Sequence, residues 1–495
     1  MQENLKADVK KSTLREGKKT AKNLFVKIGG MIKRRIPRIN AYHTKLELAK
    51  TAMKDKDWKQ ASHHLFELIH EFKPNVDNYV MLGKVLRKDK QYQEAEKILN
   101  EGQLHFPNNH IILTELAKVT IDTYNWVKAR EILNLAKTHH DEIPVSAHFG
   151  LSIVNRVLGN DKESNAQLSH CLDEHSEELK ETYKKGYRKI ILYNNGENRI
   201  EYYKMTQKND TVTITFDSIN MVWDEMPFGF KFLKKQNTDI IAVRRRTGNN
   251  YYQDLSLEDF NKTVNLLVHS YKRKVAYGFS LGGYAVLYYC ADLNCEILSL
   301  SPRNSAHPNY GDKLSEEIPF KHNLSLTNNP NITPIIIYDP KNRTDNSYIE
   351  KELKKSFLNA RFIEHHYAGH RTAPFLSQIG VIKDLVGRVV HGKELIEYDK
   401  KLRSKSHQYL RVLGQECLRR NKGKWALELS EKALELSPED SKALALKEKA
   451  IVRLESNKTK EYSWLREAAI QISEKKDQII KLFSLAFIEL LEIML

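Results

Sequence analysis

The chain has 495 residues, 41% of them hydrophobic, and a formal net charge of +17. That length admits about two to four domains, each with its own core, and the hydrophobic content excludes a disordered chain. Cys171, Cys290, Cys295 and Cys417 show no paired spacing, and no apolar run reaches the length of a membrane span, which argues against a disulfide-framed or membrane-spanning protein.

Residues 1–40 form a basic amphipathic tail. Within residues 1–38 there are twelve Lys or Arg against Glu3, Asp8 and Glu16. Leu24, Phe25, Ile28, Met31, Ile32 and Ile36 recur at helical spacing among Lys22, Lys27, Lys33, Arg34 and Arg35. A helix of this kind lies on an anionic membrane face or binds an acidic polymer; a solvated basic tail is the plain alternative. Co-sedimentation with anionic vesicles separates the two. Lys27 interrupts the only apolar stretch, so no signal peptide is expected, and the unpaired cysteines fit a reducing cytoplasm.

Residues 41–185 repeat. Trp58, Tyr92 and Trp126 are spaced by 34, as are Ala61, Ala95 and Ala129, and Pro74, Pro107 and Pro144 close the units. Tyr79, Leu82 and Gly83 fall on the first helix of the second unit. The period is that of a tetratricopeptide repeat. Small residues stand where helices cross, an aromatic fills the groove, and proline ends the second helix. Three to four such units stack into a solenoid with a concave surface for a partner.

At residue 186 the pattern turns strand-like. Tyr187–Tyr193 and Arg199–Thr206 flank the hairpin signal Asn195-Gly196. Short apolar runs follow at Val212–Phe216, Ile240–Val243, Val275–Tyr277, Ile297–Leu300, Pro334–Tyr338 and Ala360–His366, separated by helical stretches. Strands alternating with helices predict a mostly parallel sheet, with chemistry at the carboxyl ends of the strands. The third run enters Gly278-Phe279-Ser280-Leu281-Gly282 and then an apolar helix, Tyr284–Ala291. Strand, Gly-x-Ser-x-Gly and helix together are the context of a nucleophile elbow. Ser280 belongs at the apex of a tight turn, and the Leu281 N–H at a helix start can face an oxyanion.

On these residues the segment 186–395 resembles an α/β-hydrolase domain. The family's chain order is Ser, then Asp or Glu, then His. The resemblance implies Ser280 as nucleophile and His370, in Ala368-Gly369-His370-Arg371, as its base. The acid follows the strand Pro334–Tyr338, where Asp339 and Asp345 both stand. Asp345 is favoured because it lies past the strand end, ahead of the helical stretch Asn346–Phe357, whereas Asp339 before Pro340 suits a strand terminator. Of the other histidines, His365 and His366 are read on the last strand, and His269, His307 and His391 in loops or at helix ends. The second oxyanion donor is expected from Asp217 or Ser218, although the His-Gly-Gly-Gly stretch of lipases is missing. No metal-ligand spacing and no Walker-type phosphate loop occurs.

Only residues 301–333 separate two of the strands, too few for a large lid, which suits a polymeric substrate. Arg244, Arg245 and Arg246 with Tyr251, Tyr252 and Arg303 are read as its contacts, since arginines pair with carboxylates and tyrosines stack on sugar faces. Residues 396–495 return to helix: Leu410, Leu413, Gly414, Ala426, Ala433 and Pro438 fit one more repeat unit. Ile479–Leu495 is expected to dock on the preceding helices or on a partner. The expected architecture is therefore an α/β-hydrolase domain flanked on both sides by tetratricopeptide-like helices.

This combination resembles bacterial capsule and surface-polysaccharide O-acetyltransferases of the α/β-hydrolase fold. The resemblance implies acyl transfer through an acyl-Ser280 intermediate. The basic charge points to an acidic polysaccharide acceptor and to the inner membrane face, and a cytoplasmic chain points to acetyl-coenzyme A as donor; no nucleic-acid partner is expected. The repeats are read as contacts for polysaccharide-synthesis proteins. An esterase and a non-catalytic scaffold are the alternatives.

Overall fold

A computed structural model describes residues 39–140, 142–247, 250–311, 318–324, 329–456 and 463–494. The basic tail lies outside the described residues, except for residues 39 and 40. The chain divides into two compact units: residues 1–192 with 204–208, and residues 193–203 with 209–495.

The first unit is a stack of helices: α1 (residues 39–55), α2 (Trp58–Glu71), α3 (Val76–Lys88), α4 (Tyr92–His105), α5 (His110–Asp122), α6 (Trp126–His139), α7 (Val145–Val157), α8 (Asp161–Glu174) and the short α9 (Ser176–Thr182). From α2 to α8 successive helices pack on one another, and Lys45 of α1 pairs with Glu67 of α2 at 3.0 Å, making four tetratricopeptide-like pairs from α1 to α8. Trp58, Tyr92 and Trp126 each open the second helix of a pair. Side chains of Asp57, Asn75, Asn109 and Asn125 accept backbone N–H groups at helix starts. Ala61, Ala95 and Ala129 are fully buried, because only a methyl group fits where the helices cross. A β-carbon on Gly83 would stand 2.6 Å from Leu99 Cδ2, which is why that column holds glycine. Arg87 ties α3 to α5 through Glu115 at 2.7 Å and Asp122 at 2.9 Å.

The strands are β1 (Tyr187–Asn194), β2 (Asn198–Met205), β3 (Thr211–Phe216), β4 (Asp239–Arg245), β5 (Arg273–Phe279), β6 (Glu296–Leu300), β7 (Ile335–Tyr338) and β8 (Arg361–Glu364). Most of β1 (residues 187–192) and the end of β2 (residues 204–205) are counted in the first unit; the second is built on the strands from β2 to β8. β1 leads into β2 through the hairpin at Asn195-Gly196. From β2 the order is β2-β4-β3-β5-β6-β7-β8. β2 runs antiparallel to β4; from β4 to β8 every pairing is parallel. The apolar runs Ile240–Val243 and Val275–Ala276 are fully buried, as expected of strands covered on both faces.

The intervening helices are α10 (Phe230–Leu233), α11 (Leu257–His269), α12 (Leu281–Cys290), α13 (Arg343–Tyr348), α14 (Lys354–Ser356), α15 (Thr372–Gln378) and α16 (Ile382–Val390). A π-helical turn, Ile349–Leu353, joins α13 to α14. Because β3 pairs with β4 on one side and β5 on the other, the chain reverses its winding at β3. Ligands of open parallel sheets bind at such a reversal, outside the carboxyl ends of the strands.

The unit continues into α17 (His407–Arg419), α18 (Gly423–Leu436), α19 (Ser441–Ser456) and α20 (Ser463–Met494). Leu410, Ala433 and Ala443 form a small core there, and a β-carbon on Gly414 would stand 2.8 Å from Leu446 Cδ2. Of the two expectations for Ile479–Leu495, docking on the preceding helices is corrected for the described side chains: Ile479, Ile480, Leu482, Phe483, Leu485, Phe487 and Ile488 are all exposed, which leaves the reading of a partner untouched. Among the described residues no helix is long and apolar enough to cross a membrane.

Candidate functional site

β5 carries Ser280 to its carboxyl end. Ser280 adopts φ 55° and ψ −116°, a conformation unfavourable for a residue with a β-carbon. The surroundings enforce it. The Ser280 N–H donates to Leu300 O at 2.8 Å, and its carbonyl accepts the Arg303 N–H at 3.1 Å and the Tyr284 N–H at 2.9 Å. A β-carbon on Gly278 would overlap the Gly282 carbonyl, and one on Gly282 would overlap the Phe216 carbonyl. Both glycines are therefore required for α12 to start hard against the ends of β5 and β3.

The Ser280 hydroxyl lies 2.8 Å from His370 Nε2, and His370 Nδ1 lies 2.9 and 2.8 Å from the two Asp345 carboxylate oxygens. An ionised carboxylate only accepts, so Nδ1–H donates to Asp345. The neutral ring then has a free acceptor at Nε2 for the serine proton. Asp345 is fully buried in the first turn of α13, with its N–H on the Asn342 side chain at 3.1 Å. The helix begins three residues earlier than the sequence indicated, so Asp345 sits on it rather than ahead of it.

The structure thus separates the two aspartates. Asp339 is also fully buried, but its carboxylate accepts the backbone N–H groups of Lys341 (2.8 Å), Tyr367 (3.0 Å) and Gly369 (2.7 Å). Burial pushes its carboxyl up, against the pull of those three donors. It anchors the loop that carries His370. His365 and His366 lie just past β8, not on it. His365 is buried beside Tyr398, its hydroxyl at 3.3 Å, and His366 pairs with Glu364 at 3.0 Å.

Two expected substrate contacts are corrected. Arg244 is fully buried and binds the Asp217 carboxylate, Glu201 at 3.6 Å, and the carbonyls of Val222 and Glu225 at 2.6 and 3.0 Å. Its donors are spent on holding the loop after β3. Tyr252 is fully buried, its hydroxyl 3.0 Å from Asp217 O and 3.1 Å from Val243 O. Arg245 likewise donates to Ser218 O and Ile219 O, both at 2.8 Å. Burial raises the Asp217 carboxyl to about 6, with Arg244 opposing the rise. Tyr251 is half-buried, and its carbonyl accepts the Asn304 side chain at 3.2 Å. Arg303 does reach the site: its guanidinium stands 3.6 Å from Asp345.

Leu281 opens α12 next to Ser280. Of the two residues read as second oxyanion donor, Asp217 gives its N–H to Val243 O at 3.3 Å, which leaves Ser218. One contributor had no signal in the sequence. Gln408, buried on α17, donates to the carbonyls of Ala368 and Arg371, the latter at 2.9 Å. Those two carbonyls flank His370, so the C-terminal repeat holds the histidine loop from outside. A cleft of about 510 Å³ opens beside His370 between this loop and α17.

No known family model matches this chain, and no curated protein matches it. Solved structures of repeat proteins align with under a third of it. "MamA 41-end from Desulfovibrio magneticus RS-1" is 14% identical over 30% of this chain and 82% of its own, at a TM-score of 0.26. TTC0263, a thermophilic TPR protein in Thermus thermophilus, is 17% identical over 28% of this chain and 75% of its own, at 0.25. "YrrB: a TPR protein with an unusual peptide-binding site" is 14% identical over 28% of this chain and 74% of its own, at 0.24. With scores this low, the repeat fold is read from the chain's own helices.

Proposed function

We propose that the sheet unit is an α/β-hydrolase-like domain that transfers an acyl group through an acyl-Ser280 intermediate. The observation that carries this is the strained Ser280 with its hydroxyl on His370 Nε2 and His370 Nδ1 on a buried Asp345. Strain of this sort is kept where the chemistry uses it. His370 takes the serine proton as the hydroxyl oxygen attacks an acyl carbonyl, then returns it to the leaving group. The Leu281 and Ser218 N–H groups would face the developing oxyanion. The acceptor in this reading is a hydroxyl of an acidic surface polysaccharide, and acetyl-coenzyme A is the donor. An esterase uses the same residues with water as acceptor.

A fluorophosphonate probe followed by intact-mass measurement tests the nucleophile. One adduct is expected on the wild-type chain and none on Ser280→Ala, with turnover down on the order of 10⁴–10⁶. An unlabelled wild type, or a labelled Ser280→Ala, returns the chain to the scaffold reading. Labelled acetyl-coenzyme A with acidic and neutral polysaccharides then separates transfer from hydrolysis. Label in an acidic polymer supports transfer, and acetate released at equal rate with or without acceptor supports the esterase.

A further inference from the structure

Resting on that reading, we propose that a groove running from His370 across α17 to α19 binds an extended acidic glycan chain, the acyl acceptor. The 510 Å³ cleft beside His370 is lined by Lys341, Arg343, Arg371, Arg411, Arg419 and Lys442, against two carboxylates, Asp339 and Glu416. The two carboxylates offset Arg419 at most and leave the other cations of the cleft in excess. Asp339 is buried and taken by three backbone N–H groups, and Glu416 is held by Arg419 and Arg420 at 2.7 and 2.6 Å. Among the described residues Lys341, Arg343, Arg371 and Lys442 have no carboxylate partner.

Arg411 is only partly compensated. Its Nε is buried without a hydrogen bond, and its one acid, Asp440 at 3.5 Å, is shared with His407 at 2.8 Å. Burial holds this guanidinium below its usual range, partly offset by Asp440 and reinforced by nearby Arg371. Cations gathered in excess of their counter-ions are the footprint of an anionic ligand.

The length of the groove favours a chain over a lone phosphate. A second cleft of about 440 Å³ shares Gln415, Arg419 and Lys442 with the first and adds Lys449; among the described residues no carboxylate lines it. Single-stranded nucleic acid would need stacking aromatics along such a path. Beyond the His370 ring, Tyr367 is the one aromatic among the described residues lining the two clefts. A sugar hydroxyl brought to the His370 end attacks the acyl-Ser280 carbonyl. His370 Nε2 takes the hydroxyl proton, the bond from the acyl carbon to Ser280 breaks, and the proton passes to Ser280.

The test uses full-length Ser280→Ala, which cannot hold an acyl group. It is titrated with fluorescent polygalacturonate, neutral dextran, coenzyme A and single-stranded RNA at low and moderate salt. Lys341→Gln/Arg343→Gln/Lys442→Gln is expected to weaken polygalacturonate binding at least about tenfold and flatten its salt dependence. Lys231→Gln/Lys235→Gln/Lys262→Gln, equal in charge but on other elements, is expected to change it less than about twofold. All six side chains are exposed, so unchanged melting temperatures are expected for both sets. Equal losses in both sets, no loss in either, or groove-dependent binding of RNA or coenzyme A but not polyuronate would overturn the proposal. Failure of the fluorophosphonate adduct on the wild type would sink the acyl-enzyme reading alone, since these titrations do not use the nucleophile.

Discussion

Two aspartates separated by six positions end up with different work because different atoms reach them. Asp345 meets an imidazole nitrogen, while Asp339 meets three backbone donors. Asp345→Asn is expected to lower kcat by about 10³–10⁴, since the amide can stabilise the wrong imidazole tautomer, with the melting temperature little changed. Asp339→Asn is expected to cost about 1–3 kcal/mol of stability, because an amide nitrogen replaces an acceptor in a buried cluster. Paired kcat and melting measurements on both variants check this, and the opposite assignment would make Asp339 the triad acid. Gln408→Ala removes the donors on either side of His370 without touching the ring. Its expected effect is a fall in kcat of about tenfold with KM nearly unchanged, and Gln408→Asn should recover less than the native residue because it is a methylene short.

At the scale of elements, α12 lies over an aromatic bed that cannot accept charge. His322 stacks on Tyr288 at 4.1 Å and lies near Tyr284 and Tyr289; its Nε2 stands 3.1 Å from Tyr252 O. Burial lowers its basicity to about 4, and His307 and His365 are lowered to about 4 for the same reason. A histidine whose folded value lies below its unfolded value binds its proton first in the unfolded chain. Stability is therefore full above about pH 6.5 and is lost as pH falls toward 4, on the order of 3 kcal/mol for a group as buried as His322. Urea melts at pH 7.0 and 5.0 are expected to show a clear loss at the lower pH. His322→Gln should shrink that loss; an unchanged pH dependence would remove His322 from the account.

At the scale of the molecule, the two helical regions differ in what the site needs from them. Ser280, Asp345, His370 and Gln408 all belong to the unit of residues 193–203 and 209–495, whereas α2 to α8 belong to the other. A chain starting at residue 186 is expected to keep fluorophosphonate labelling of Ser280 within about threefold of the full rate. A chain ending at residue 395 loses Gln408 and the packing of α17, and its labelling is expected to fall at least about tenfold. Labelling rates on both truncations, each checked for a cooperative melt, read this directly. Equal effects from the two would mean that α17 does not support the histidine loop.

Local chemistry made much of this legible in the amino-acid sequence. The 34-residue spacing of Trp58, Tyr92 and Trp126 marks second-helix starts because each repeat has the same crossing to fill. Ser280 was legible because a tight strand-to-helix turn demands glycine at 278 and 282. Chain order brought His370 forward, and the strand-to-helix passage narrowed the acid to Asp339 or Asp345. Only the tertiary structure decided between those two, since both sit beyond the same strand and are distinguished by which atoms approach from residues 366–371. It also withdrew Arg244 and Tyr252 from substrate contact: an arginine at a strand end reads the same whether solvent or a buried Asp217 waits beside it. Gln408 and the basic groove were invisible for a similar reason. They exist only where α17 and α19, far along the chain, fold back beside the histidine loop, and no local pattern encodes a contact at that separation.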